Sequence, residues 1–133
     1  VSEVLFADTS AWFALVNRSD PDHDLVRAVF EEFGGRIVTS NFVFDEAVTL
    51  CLYRLGHDAA LRVGSALKDP SVVDLIRTTP RDEALAWEIF AARPDKRYSF
   101  TDCTSFAMMR RLGIRWAAAL DDDFKREGFE VLP

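Results

Sequence analysis

The chain has 133 residues, 49% of them hydrophobic, with eleven Phe and three Trp, so it has the apolar content to fold as one domain (1–133) rather than remain disordered. Sixteen Lys and Arg against 22 Asp and Glu leave a net charge of −6, which excludes a nucleic-acid binder working by overall phosphate neutralisation; any such contact must be local. No apolar run reaches the roughly 18 to 20 residues of a membrane span, and no basic segment followed by an apolar one marks the chain for secretion, so a cytoplasmic protein with no membrane partner is expected.

Val4 to Ala7 reads as a short buried strand, with helix following through Trp12, Phe13, Leu15 and Val16. Asp20-Pro21 offers an N-cap with proline at the first helical position, and Leu25, Val26, Val29, Phe30 and Phe33 share one face until Gly34-Gly35. Ile37-Val38 is a second strand, and Thr39-Ser40-Asn41 supplies capping groups for a helix running to Leu55-Gly56. Asp58 can start a further helix that ends before Pro70, and Val72 to Ile76 reads as a third strand. Thr79-Pro80 opens a helix that stops at Pro94, a polar loop covers Pro94 to Ser99, and helix resumes from Thr101 to Leu112 with Gly113 as its stop. Ile114 to Leu120 is strand four, Asp121 to Glu127 a short helix, and Phe129 to Leu132 the last strand. Strands that alternate with helices and are apolar on both faces predict an α/β fold with a short, mostly parallel central sheet and helices on both sides. Cys51 and Cys103 fall inside helices without metal-ligand spacing and read as reduced core thiols.

Four acids recur where an apolar run meets a helix. Asp8 closes Val4-Leu5-Phe6-Ala7, Asp102 follows Tyr98-Ser99-Phe100-Thr101, Asp121 closes Trp116-Ala117-Ala118-Ala119-Leu120, and Glu46 is embedded in Asn41-Phe42-Val43-Phe44-Asp45-Glu46. The crevice at the carboxyl ends of parallel strands is where such folds bind ligands, so acids from distant segments can converge there. Singly, Asp8, Asp102 and the Asp121-Asp122-Asp123 run each have an ordinary explanation as helix caps or first-turn acids. Glu46 resists it: its helical neighbours Phe42, Val43, Thr49 and Leu50 include no basic partner, whereas Asp45 beside it reads as solvated or capping.

The pattern of Asp8-Thr9-Ser10 after the first strand, Glu46 in the third helix, Ser99-Phe100-Thr101-Asp102 opening a late helix and Ala119-Leu120-Asp121-Asp122-Asp123-Phe124 after the fourth strand resembles the PIN-domain nucleases, in particular the VapC-like ribonuclease toxins. The likeness covers essentially the whole chain. It implies a three-layer sandwich and an endoribonuclease dependent on magnesium or manganese. It places the acidic site on Asp8, Glu46, Asp102 and Asp121, with Thr9 or Ser10 as support. The triple aspartate departs from the pattern; Asp121 matches best, Asp123 is a supplementary metal ligand and Asp122 faces solvent. Four hard carboxylates suit one or two such ions, and in-line displacement leaves a 5′-phosphate and a 3′-hydroxyl.

The resemblance also implies a cognate antitoxin that blocks the acidic groove, and a homodimer. Trp12, Phe13, Phe42, Phe44, Tyr53 and Trp87 are more aromatic surface than one small core needs, so some are interface candidates, although each taken singly reads as core. Arg93, Lys96 and Arg97, just before the Asp102 motif, are candidate RNA contacts. His23 and His57 lie beside helix starts away from the acids and are not expected to act in catalysis. Two alternatives stand beside the nuclease. A receiver-like phosphoacceptor domain conflicts with Glu46 inside a helix and with the lack of a lysine near the last strand, and a catalytically silent PIN-fold interaction module conflicts with four intact acids.

Overall fold

The computed structural model describes residues 3–133. Its strands β1 (Val4–Ala7), β2 (Arg36–Ser40), β3 (Asp74–Ile76), β4 (Trp116–Ala118) and β5 (Glu130–Leu132) form one sheet in the order β3-β2-β1-β4-β5. Every neighbouring pair is parallel, with Phe6 of β1 in register with Val38 on one side and Ala117 on the other. The helices are α1 (Thr9–Val16), α2 (His23–Glu32), α3 (Asn41–Leu55), α4 (His57–Leu67), α5 (Pro80–Ala92), α6 (Phe100–Leu112) and α7 (Asp123–Arg126).

From β1 the chain steps outward through β2 to β3, then returns across the sheet to β4 and β5. Right-handed crossovers put α1 to α4 on one face and α5 to α7 on the other. The packing agrees for most of the helices: α1 touches α2, α3 and α4, and α5 packs on α6, while α3 also meets α6 through Phe42 and Phe100. The direction of winding therefore reverses between β1 and β4, and a crevice opens at their carboxyl ends.

Beneath that crevice the core is closed by fully buried Phe6, Trp12, Phe106 and Phe124, with the Phe106 and Phe124 rings edge to face at 5.0 Å. The polar atoms of Trp12 and Thr39 inside it are satisfied. The Trp12 indole donates to the Ala7 carbonyl at 3.1 Å, and the Thr39 hydroxyl donates to the same oxygen at 2.9 Å. Thr39 is thus a core residue, and Ser40 alone caps α3, accepting from the Val43 amide at 3.1 Å. Both cysteines are buried free thiols.

Element ends depart from the sequence expectation wherever a local hydrogen bond competes with a ladder. The α2 helix starts at His23 rather than behind Asp20-Pro21, because Asp20 takes the Asp22 amide at 2.8 Å in a turn of its own. Strand β3 begins two residues late, since the Val72 and Val73 amides both bond back to Asp69. Strand β4 is shorter at both ends. The Ile114 amide closes α6 onto Met109, and the Leu120 amide is taken by the Ser10 hydroxyl. Asp121 accepts the Asp123 amide at 3.0 Å, so α7 starts at Asp123.

A buried acid braces the helical face opposite α1. Asp82 forms a capping box with Thr79 and takes both arms of the Arg111 guanidinium at 2.7 and 2.9 Å, tying the start of α5 to the end of α6. Arg111→Leu keeps the apolar stem and strands Asp82, and should cost about 3 kcal/mol, the low end for breaking a buried pair. The denaturant midpoint should fall at unchanged m-value; an unshifted midpoint contradicts this role.

Candidate active site

Asp8 ends β1 and caps α1. Its Oδ2 accepts from the Ser10 amide at 3.2 Å and the Ser10 hydroxyl at 2.7 Å. That hydroxyl accepts in turn from the Leu120 amide at 3.1 Å, and the Asp8 amide donates to the Ala118 carbonyl at 3.0 Å. Ser10 therefore ties the end of β1 to the end of β4, directly before Asp121. Two neighbouring oxygens in this seam are buried without any hydrogen-bond partner: Asp8 Oδ1 and the Thr9 hydroxyl.

Asp102 enters from α6. Ser99 and Asp102 form a reciprocal capping box in which Oδ2 of Asp102 accepts from the Ser99 amide at 3.1 Å, leaving Oδ1 outside that cap. Asp102 is thus both a first-turn acid and a member of the cluster. Glu46 is half-buried on α3, whereas Asp45 beside it is exposed. Glu46 borders a shallow groove of about 370 Å³ shared with Tyr53, Arg54 and Thr101, the last next to Asp102. Asp121 and Asp122 are exposed, and Asp123 is bonded to Arg126 at 2.9 Å.

The four acids lie within each other's field. Burial, then the charges of Asp121 and Glu46, push the Asp8 carboxyl up to about 6 against the bonds from Ser10. Burial and the Asp8 charge push Asp102 up to about 7, with Asp121 and Glu46 adding to the rise and the Ser99 bond opposing it. Burial and the neighbouring Asp121 raise Asp123 as well. Among the described residues, none of Asp8, Glu46, Asp102 and Asp121 has an ion pair. Nor, among those residues, do three Asp, Glu, His or Cys side chains close tightly enough to enclose an ion. Repelling carboxylates held in part by Ser10 and Ser99 account for an open cluster. Its donor set is nevertheless that of a hard divalent cation, and the two orphaned oxygens are groups such an ion or its water shell would satisfy.

The basic rim is smaller than the sequence suggests. Arg93 is bound to buried Glu127 at 3.1 and 3.3 Å, and Arg110 and Tyr98 bond the same carboxylate. Lys96 is paired with adjacent Asp95, and Arg97 is exposed with a backbone φ of 57°. His23 faces the Ala14 carbonyl at 2.8 Å, and His57 is exposed at the start of α4. The Glu127 node went unread in the sequence because its partners lie 17 to 34 residues away, with no periodic signal to link them.

Compared with known proteins, the chain matches the PIN domain over residues 5–130. It belongs to the PIN-domain family. A curated relative, the 23S rRNA-specific endonuclease VapC20 of Mycobacterium tuberculosis, is 40% identical over 131 residues, 98% of this chain and 99% of the relative. The crystal structure of Mycobacterium tuberculosis VapC20, described as a Sarcin-Ricin loop cleaving toxin, superposes with a TM-score of 0.91 at 39% identity, covering 97% of this chain and 99% of that one. A DNA-bound VapBC of Salmonella typhimurium shares the fold alone, with a TM-score of 0.72 at 16% identity over 97% and 96% of the two chains.

Raised carboxyls give a definite pH dependence. A folded pKa of about 6 or 7 exceeds the unfolded value near 4, so the contribution of Asp8 and Asp102 is fully present below about pH 4 and is lost as pH rises through 6 to 7. Asp82 and Glu127 have the opposite sign: burial raises each, their hydrogen bonds outweigh it, and their net lowered pKa costs stability only as pH falls below the usual carboxylate range. In EDTA the melting temperature should therefore fall between pH 5 and pH 8. Asp102→Asn keeps the acceptor to Ser99, removes the charge, and should flatten that slope. At pH 7.5 the variant should gain about 1–2 kcal/mol, roughly 3–8 °C, while responding less to magnesium. A variant that melts lower in EDTA and responds fully to magnesium would make Asp102 a cap and nothing more.

Proposed function

We propose that this protein is a divalent-metal-dependent endoribonuclease and the toxin of a toxin–antitoxin pair, with 23S rRNA as its substrate. One observation carries the chemical half of the reading: four carboxylates from β1, α3, α6 and the end of β4 share a crevice, unpaired among the described residues, with an orphaned oxygen on Asp8. The substrate half rests on the near full-length likeness to the mycobacterial endonuclease, whose target, the sarcin–ricin loop, we extend to this chain.

Asp8, Glu46, Asp102 and Asp121 would hold magnesium or manganese, with Asp123 as an outer contributor already engaged by Arg126. When bound, such an ion lowers the pKa of water for attack at phosphorus and offsets charge on the leaving oxygen. The protein's own part is placement. Ser10 fixes the Asp8 carboxylate and the strand end before Asp121, and Ser99 fixes Asp102. Exposed Lys96 and Arg97 offer phosphate contacts beside the cluster, while Arg93 is engaged by Glu127. Hydrolysis adds water across a P–O3′ bond and leaves a 5′-phosphate and a 3′-hydroxyl. No nucleophilic side chain enters.

The same reading gives the protein two protein partners. An antitoxin that supplies a cation to the unpaired acids would neutralise the crevice. A second copy suits the aromatic ribbon in which Trp87, 62% exposed, stacks on Phe90, and Phe90 meets Phe100 and Phe100 meets Phe42 edge to face. Trp87→Glu should convert a dimer in light scattering to a monomer; a wild-type monomer at micromolar concentration would remove the ribbon from this role.

Purified protein should cut 23S rRNA with magnesium or manganese and fail to do so in EDTA. Asp8→Asn and Asp121→Asn should each lose two orders of magnitude or more, exceeding the roughly 10- to 100-fold typical of residues one layer further out. Asp122→Asn should stay within about twofold, given that it lies on the exposed side of the turn. Cleavage that persists undiminished in EDTA overturns the metal mechanism. Cuts elsewhere in 23S rRNA, with the sarcin–ricin loop intact, would confine the failure to the substrate.

A further inference from the structure

Glu127 is buried to 5% exposure just past α7, yet it receives two guanidiniums and a phenol: Arg93 at 3.1 and 3.3 Å, Arg110 at 2.9 Å and Tyr98 at 3.0 Å. One arginine would neutralise it. Charge balance therefore does not explain the second, and what the set does join is informative. Arg93 and Tyr98 bracket the segment between α5 and α6, and Arg110 belongs to the far end of α6. Tyr98 is itself held, buried with its ring edge to face on Phe106 at 5.0 Å. The next residue, Ser99, is the cap whose amide and hydroxyl fix Asp102.

Between the two anchors lie Lys96 and Arg97. Arg97 sits at a φ of 57°, a left-handed conformation that a non-glycine side chain adopts at a cost, so the surroundings must hold it there. The Lys96 amide closes back on the Arg93 carbonyl at 3.2 Å, and the Glu127 bonds lock the two ends.

We propose that Glu127 is a positioning residue for the acidic site: by clamping Arg93 and Tyr98 it sets the direction from which Asp102 enters and holds Lys96 and Arg97 at the rim for the RNA backbone. This rests on the ribonuclease reading above. It also assigns Arg93 to the clamp rather than to RNA.

Glu127→Gln keeps size and an acceptor and loses the charge that gathers two arginines; Tyr98→Phe removes a single bond to the same carboxylate. The comparison variant is Asp82→Asn, which weakens the other buried arginine pair, away from the segment. Each is assayed below its own melting temperature for RNA cleavage, for the salt dependence of RNA binding in EDTA, and for hydrogen exchange of amides 95–99. For Glu127→Gln, KM for 23S rRNA and the magnesium concentration giving half-maximal rate should each rise about tenfold, as for loss of an outer-shell partner. The salt slope should shrink by about one to two phosphate contacts, with faster exchange confined to 95–99. Tyr98→Phe should move the same readouts in the same direction by less, and it decides the matter should Glu127→Gln not fold. Asp82→Asn should lower stability and leave all of them unchanged. Overturning the proposal requires Glu127→Gln, or Tyr98→Phe in its place, to match Asp82→Asn in every readout. Should the wild type cleave no RNA, the ribonuclease reading fails separately, and the exchange comparison alone still decides whether Glu127 clamps the segment.

Discussion

The placing of four carboxylates near one another, two of them buried enough to be raised and none paired with a cation among the described residues, is the constraint on which the account of this site depends. A parallel sheet that reverses its winding between β1 and β4 delivers Asp8 and Asp121 to one crevice, and α3 and α6 add Glu46 and Asp102. Burial first, and then each neighbouring charge, makes a carboxylate there harder to keep ionised, as the raised carboxyls of Asp8 and Asp102 show. A fold tolerates this only where other interactions hold the elements in place. Here the holding is done from outside the crevice, by the core below it and by hydrogen bonds on the far lone pairs of Asp8 and Asp102.

The distribution of arginines completes that arrangement. The Asp82 and Glu127 side chains are as buried as Asp8, but they take Arg111, Arg93 and Arg110 and stay ionised. Their pairs stiffen α5, α6 and the segment between them. The crevice acids receive no cation from the described residues and are left with capacity for one from outside, whether a metal ion or a basic side chain of a partner. Asp8 and the two structural acids are thus separated by their partners, since depth of burial does not tell them apart.

Much of this was legible in the sequence because it rests on local pattern. Short apolar runs marked all five strands, and Ser40 and Thr79 placed their helices to within a few residues, whereas Ser99 was read as loop and is the cap of α6. The positions of Asp8, Glu46, Asp102 and Asp121 at strand ends and on an apolar helix face followed from the same patterns, as did the likeness to PIN nucleases. Element ends were misread where a side chain diverted a backbone amide: Asp20 delaying α2, Ser10 shortening β4, Asp121 delaying α7. Thr39 looked like a capping residue and is a core hydroxyl on the Ala7 carbonyl. The Glu127 node left no trace, because three partners far apart in the chain meet only once the sheet has closed, and Arg93 was accordingly read as a free cation.

The central claim is that the four acids form one metal site despite standing open. A crystal structure of the protein with manganese, using anomalous scattering to place the ion, addresses it most directly. The account predicts a peak in the crevice within coordinating distance, about 2.0–2.3 Å, of carboxylate oxygens from Asp8 and at least one of Glu46, Asp102 and Asp121, with Asp8 Oδ1 engaged. Manganese bound only elsewhere, with the crevice acids unchanged at saturating metal, would contradict it.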